Sequence, residues 1–268
     1  MTDYVETFLG DVHTWEVDAT EHFTVAYYYE KFQSATWRFL TERGIDPQRA
    51  STASATTQYK SELRNRDIFR IETAVIEAGS TPTLAHRMVN AETGEVCTHM
   101  QQTLTGVPLA GPTAEWTGDP VEARSIPEDS ARWLPTLRDV VLPGEVDWSG
   151  RLGLPGYIHR FSTANSFIMA ACGLTPTYMT EHRFGLSTFE FQLMFSGDAK
   201  PGDLVNIDSC IAQLGGSSLR LYHRVSNATR GERIAGLSQF GVQLDLDARR
   251  PARIADDIRE RATKFVAN

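Results

Sequence analysis

The decapeptide HRMVNAETGE at residues 86–95 returns as HRVSNATRGE at residues 223–232, with six of ten positions the same. The two copies lie 137 residues apart, about half of the 268-residue chain. A phrase repeated at that distance constrains the fold more than any bulk property, because duplicated sequence builds duplicated structural units. Neighbouring segments repeat too. Residues 16–47 align without a gap to residues 145–176, and eight of 32 positions are identical: Glu16/Glu145, Val17/Val146, Asp18/Asp147, Tyr28/Tyr157, Phe32/Phe161, Ala35/Ala164, Gly44/Gly173 and Pro47/Pro176. Chance would supply about two. A third block pairs 66–79 with 202–215, sharing Asp67/Asp203, Ile71/Ile207 and Gly79/Gly215. Three blocks in the same order indicate a tandem duplication.

Each copy has one local grammar. Val25, Tyr28, Tyr29, Phe32, Ala35 and Phe39 recur at helical spacing, which predicts a long helix. Thr24 suits its N-cap, while Pro155 suits the first turn of the second helix and Gly173 its end. The period then changes to two: Phe69, Ile71, Thr73 and Val75 in the first copy, and Val205, Ile207, Ser209 and Ile211 and then Leu219, Leu221, His223 and Val225 in the second. Such alternation predicts strands, with AETGE and ATRGE as the turns between antiparallel neighbours. The expected class is α+β, two repeats each with a long central helix wrapped by an antiparallel sheet. Residues 1–105 form the first repeat and 140–268 the second. Residues 106–139, with Pro108, Pro112, Pro120, Pro127 and Pro135, read as the connecting segment. Ile254, Ile258 and Phe265 predict a closing C-terminal helix.

Composition excludes several classes. A hydrophobic content of 41% with 22% charged residues suits a globular core, and no apolar run is long enough to span a bilayer. The N-terminus lacks a basic segment before an apolar stretch, so no secretory signal is expected. Cys97, Cys172 and Cys210 are odd in number and widely spaced, which suits reduced thiols in a cytoplasmic protein rather than a disulfide frame or a zinc site. A net charge of −8 argues against general nucleic-acid binding.

The stretch VDATEHFTVAYYYEKFQSA resembles the hot-dog acyl-CoA thioesterases of the 4-hydroxybenzoyl-CoA thioesterase type. That pattern has an Asp, a His four residues later and an Asn two after that, ahead of a helix carrying Tyr, Phe, an acid and Ala. Asp18, His22, Tyr28, Phe32 and Ala35 match, whereas Thr24 stands where Asn is usual and Gln33 replaces the acid. The strand phrases GDLVNIDSCIAQLGGSSLRLYHRV and RDIFRIETAVIEAG are also similar. The resemblance covers most of the chain and implies a double hot-dog. The first copy further resembles the thioesterase domain found with bacterial carnitine dehydrogenases, which makes a betainyl-type thioester conceivable, and the second resembles the degenerate half of acyl-ACP thioesterases.

Thioester hydrolysis needs a carboxylate, N–H donors for the developing oxyanion, and a groove for the pantetheine arm. By the resemblance, Asp18 supplies the attacking oxygen or the base, and the backbone N–H at Val25 polarises the carbonyl. Those roles set against a plainer one: an Asp ahead of a helix is most often a cap or turn residue. His22 orients Asp18 or a backbone turn, and Thr24 caps the helix or places a water. Asp147 matches Asp18, but Arg151 replaces His22 and Gly153 replaces Thr24, so the alternatives there are a second site or an arginine–aspartate ion pair on a silent scaffold. Lys60 and Arg64 are candidates for the CoA phosphates. Trp15 and Tyr28 are candidates for substrate contact, and aromatic residues beside a helix are otherwise core. The reading is an acyl-CoA thioester hydrolase with no metal and no cofactor beyond the CoA thioester substrate. A monomer is feasible and a homodimer compatible. The alternatives are a hydratase or dehydratase of the same fold, whose motif typically sits in a proline-containing loop that DATEH lacks, and a non-catalytic acyl-CoA-binding protein.

Overall fold

The structure is a computed structural model that describes residues 4–18, 21–129 and 132–267. It falls into two compact units. Residues 1–121 and 145–158 form the first, and 122–144 and 159–268 the second. The units cut across the repeat boundaries, since the head of the second repeat's helix belongs with the first unit.

The first unit holds strands β1 (Val5–Asp11), β2 (Ser51–Tyr59), β3 (Ile68–Glu77), β4 (Thr83–Asn90) and β5 (Val96–Thr105), and helix α1 (Val25–Thr41). Its strands lie in the order β1-β3-β4-β5-β2, all antiparallel. The second unit holds β6 (Leu134–Val140), β7 (Phe184–Phe195), β8 (Leu204–Leu214), β9 (Ser218–Asn227), β10 (Glu232–Asp245) and the short β11 (Arg250–Pro251). Their order is β7-β10-β9-β8-β6, with β11 paired to β10. Matching β1–β5 to β6–β10 one by one gives the same order, read from the opposite end. Helix α2 (Leu154–Cys172) takes the place of α1 and starts with Pro155 in its first turn, as expected.

The agreement extends to irregularities. β1 shifts register between Glu6 and Phe8, and β6 shifts between Pro135 and Leu137. Each bulge frees a threonine whose hydroxyl turns inward. Thr7 Oγ1 donates to the Ile71 carbonyl at 3.2 Å and lies 2.7 Å from Thr73 Oγ1. Thr136 Oγ1 donates to the Ile207 carbonyl at 3.2 Å and lies 2.7 Å from Ser209 Oγ. From there each network reaches the histidine of the repeated phrase: His86 Nδ1 sits 2.8 Å from Thr73 Oγ1, and His223 Nδ1 sits 2.6 Å from Ser209 Oγ. Both rings are fully buried, and each has the helix phenylalanine, Phe32 or Phe161, at 5.7 Å. The rest of the phrase is turn chemistry. Asn90 and Asn227 each accept two backbone amides in the turn, and Gly94 and Gly231 take φ of 76° and 73°, a region that favours glycine. The decapeptide recurs because both units need the same buried imidazole followed by the same turn.

Three features differ from the sequence expectation. The connecting segment carries β6, whose seven residues share only Thr136 with the matching positions of β1. A short helix α3 (Pro176–Glu181), capped by Thr175, follows α2. The closing helix α4 (Asp256–Ala262) is shorter than predicted: Ile254 precedes it, and Phe265 lies in a following single turn. All three apolar side chains still pack on the cluster formed by Ile168, Met169, Ile211 and Leu221. Cys97, Cys172 and Cys210 are free and buried. No described helix is long and apolar enough to cross a membrane.

Candidate active site

The approach to α1 is a small hairpin. Val17 bridges Phe23, the Asp18 amide donates to the His22 carbonyl at 2.9 Å, and Glu21 closes the turn on the Asp18 carbonyl at 3.0 Å. Glu21 adopts a φ of 64°. Asp18 is exposed, and its Oδ1 accepts the His22 amide at 3.2 Å. Ala19 and Thr20, the middle of the DATEH phrase, lie outside the described residues. The hairpin runs straight into α1, and among the described residues no acceptor meets the amides of Val25 or Ala26. Amides in a helix's first turn have no intrahelical partner and carry the positive end of the helix dipole. The site therefore combines an exposed carboxylate with two partnerless N–H donors, seven and eight residues along the chain.

The supporting residues are placed differently from the sequence expectation. The His22 ring turns to Glu62, with Nε2 3.0 Å from Oε2, while its backbone amide serves Asp18. Thr24 occupies the N-cap position, but its hydroxyl makes no capping bond and instead donates to the Glu16 carbonyl at 2.7 Å. Glu16, 2% exposed, is the residue that sequence reasoning passed over. Its carboxylate accepts the His13 amide at 3.0 Å and Lys31 Nζ at 2.7 Å, so it pins the hairpin base to α1. Burial pulls the Lys31 pKa down, and the hydrogen bonds to Glu16 and Glu30 more than offset it, leaving the ammonium pKa raised. The identity Glu16/Glu145 was a signal for this role.

Of the substrate candidates, Tyr28 is core: it is buried, its hydroxyl accepts the Leu63 amide at 3.3 Å, and its ring packs 4.5 Å from Phe23. Trp15 is the opposite, 71% exposed and stacked 4.4 Å from His13. Lys60 is engaged by Asp119, and Arg64 has Glu62 at 3.9 Å. With acids beside both, neither forms a free cationic patch.

The second turn repeats the backbone bonds described for the first and departs in side chains. Val146 bridges Leu152, the Asp147 amide donates to the Arg151 carbonyl at 2.8 Å, and Gly150, with φ of 73°, closes the turn. Asp147 and Arg151 form no ion pair. Asp147 Oδ1 accepts both the amide and the hydroxyl of Ser149, and Arg151 Nε donates to Ser149 Oγ at 2.8 Å.

Comparison with known proteins follows the same division. The family model of the thioesterase-like superfamily matches residues 12–134 and again 141–262. No curated protein matches the chain. Among solved structures, an acyl-ACP thioesterase from Bacteroides thetaiotaomicron aligns with a TM-score of 0.65 at 9% identity, covering 87% of this chain and 96% of that one. The 12:0-ACP thioesterase from Umbellularia californica aligns with a TM-score of 0.64 at 12% identity, covering 91% and 93%. At such identities these likenesses speak to fold. With both halves matched by one family, the chain belongs to the thioesterase-like superfamily in its tandem, double hot-dog form, and is a thioester hydrolase.

Proposed function

We propose that the chain hydrolyses acyl-CoA thioesters at the head of α1, using Asp18 and the amide of Val25, with no metal and no cofactor. The observation that carries this reading is the pairing of an exposed carboxylate with partnerless helix-head amides across one short hairpin. The Val25 N–H receives the thioester oxygen as negative charge develops there. Asp18 then either takes a proton from an attacking water or attacks the carbonyl itself to give an anhydride that water opens. In both routes a C–O bond forms, the C–S bond breaks, and the departing thiolate is protonated. His22, held by Glu62, and Thr24, held by Glu16, keep the hairpin in register rather than touching the reacting atoms. Glu16 and Lys31 tie that hairpin to the helix.

A panel of acyl-CoAs followed by free-thiol release tests the reading. Turnover of at least one member is expected, and Asp18→Asn should lower kcat/KM by about 10²–10⁴-fold, the usual worth of a positioned proton acceptor, with an unchanged circular dichroism spectrum. Hydration of an enoyl-CoA without thiol release would overturn hydrolysis, and wild-type turnover by Asp18→Asn would overturn the site. A second reading, an acyl carrier protein as the acyl donor, is favoured by the two ACP thioesterases that share the fold. Comparing kcat/KM for one acyl group on CoA and on carrier protein decides between them.

A further inference from the structure

Leu154 is the counterpart of Val25 in the ungapped alignment of the two repeats, so its amide stands where the first repeat presents a partnerless donor. In the second repeat that donor is taken. The Leu154 N–H donates to Gln33 Oε1 at 3.1 Å, a bond between residues 121 positions apart but inside the same compact unit. Gln33 lies on α1, eight residues after Val25. Its carboxamide also fills the space in front of the second turn: a Cβ built on Gly153 would stand 3.3 Å from Gln33 Oε1 and 3.6 Å from the Asp147 Cβ. One helical turn further along α1, Trp37 stacks 4.6 Å from Trp148 and covers the same turn. The Asp147 carboxylate is itself engaged by Ser149.

We propose that Gln33 is a positioning residue that keeps the second repeat's helix head shut. Its carbonyl occupies the amide that a thioester oxygen would need, and its bulk occupies the space between that amide and Asp147, leaving one working site per chain. This rests on the reading that a helix-head amide and an aspartate do the chemistry. A thioester approaching α2 must displace a formed hydrogen bond, whereas one approaching α1 at Val25 displaces no protein acceptor.

Two measurements test the proposal, using the acyl-CoA with the highest turnover in the panel. In the first, thiol release is compared for Asp18→Asn, for Asp18→Asn with Gln33→Ala, and for both combined with Asp147→Asn. Adding Gln33→Ala should raise kcat/KM at least tenfold over Asp18→Asn alone, and Asp147→Asn should abolish that gain. A role in packing alone would not produce an Asp147-dependent gain. No gain in a protein with an intact spectrum, or a gain that survives Asp147→Asn, overturns the proposal. In the second, calorimetric titration with the thioether analogue of that acyl-CoA should give one binding site per wild-type chain and two in Gln33→Ala. Two sites in the wild type, or one in both proteins, overturns it even if Asp18→Asn proves fully active, a result that would instead strike the site assignment. If Gln33→Ala does not fold, Gln33→Ser, which carries the residue that α2 has at the matching position 162, replaces it in both measurements.

Discussion

Acidification should destabilise both units through the same residue. His86 and His223 are fully buried, and burial pushes the pKa of each imidazole down to about 4, with a hydrogen bond to the neighbouring glutamine offsetting part of the fall. An unfolded chain would titrate them near 6.5, so below that pH the unfolded state binds more protons than the folded one. The stability tied to each ring is therefore whole above pH 6.5 and drains as pH falls toward 4. The full shift corresponds to about 3 kcal/mol per histidine, and by pH 5 about 2 kcal/mol per ring should already be gone. Two rings make that about 4 kcal/mol, a large share of a typical stability of ~5–15 kcal/mol. His99, lowered by burial and by the nearby Lys60 and Arg87, acts in the same direction. Urea unfolding at pH 7 and pH 5, a window above the range where carboxylates titrate, measures the loss. His86→Gln should be less stable than wild type at pH 7 yet lose about 2 kcal/mol less on going to pH 5. Equal losses in wild type and variant would refute the reasoning, because the imidazole would then not be the group that takes up the proton.

The remaining expectations use differences between the copies. In the first unit Thr36 Oγ1 and Gln102 Oε1 both lie 3.3 Å from His86 Nε2; in the second, Asn165 holds the position of Thr36, and its Oδ1 is buried without a partner among the described residues. Asn165→Thr should raise stability by about 1 kcal/mol, read as an increase in the thermal midpoint, since an unsatisfied buried polar atom costs about 1–3 kcal/mol. Lys31→Met should lower stability by about 3–5 kcal/mol, the usual cost of leaving one partner of a buried pair uncompensated. Its urea midpoint should recover in part with Glu16→Gln added, and no recovery would show that the pair does not couple.

Duplication was legible because selection on packing preserved it in spaced identities. Phe32/Phe161 and His86/His223 sit at the helix–sheet contact, and Gly94/Gly231 at turns that need positive φ. The edge strand was not legible: VETFLGD and LPTLRDV keep only the threonine that turns inward at the bulge, because the rest of an edge strand faces outward or into local contacts. The place of Asp18 ahead of α1 and the start of that helix could be located from residue order alone, whereas the hairpin between them could not. The direction of the His22 ring could not, since Glu62, its partner, lies 40 residues away and acidic residues are common. Glu16 shows the reverse failure. Its identity with Glu145 was visible, but a glutamate reads as surface until a lysine nearly two helical turns into α1 is seen to reach it.

The two helix heads show how a duplicated scaffold can separate folding from chemistry. The described residues of the two turns agree in the positive φ at Glu21 and Gly150 and in the amide-to-carbonyl closure of the aspartate. The hydroxyl pair that reaches each buried imidazole at Nδ1 is also shared, so the scaffold has been held in both copies. What differs is who meets the first amide of the helix. In the first copy it meets no protein acceptor among the described residues. In the second, Gln33 satisfies it and the Asp147 carboxylate is satisfied by Ser149. Filling every hydrogen bond is the expected fate of a site released from catalytic duty, because each newly satisfied group adds stability without further cost to function. On the proposal that Gln33 shuts the second head, this asymmetry in satisfaction, more than the loss of any single residue, separates the two heads.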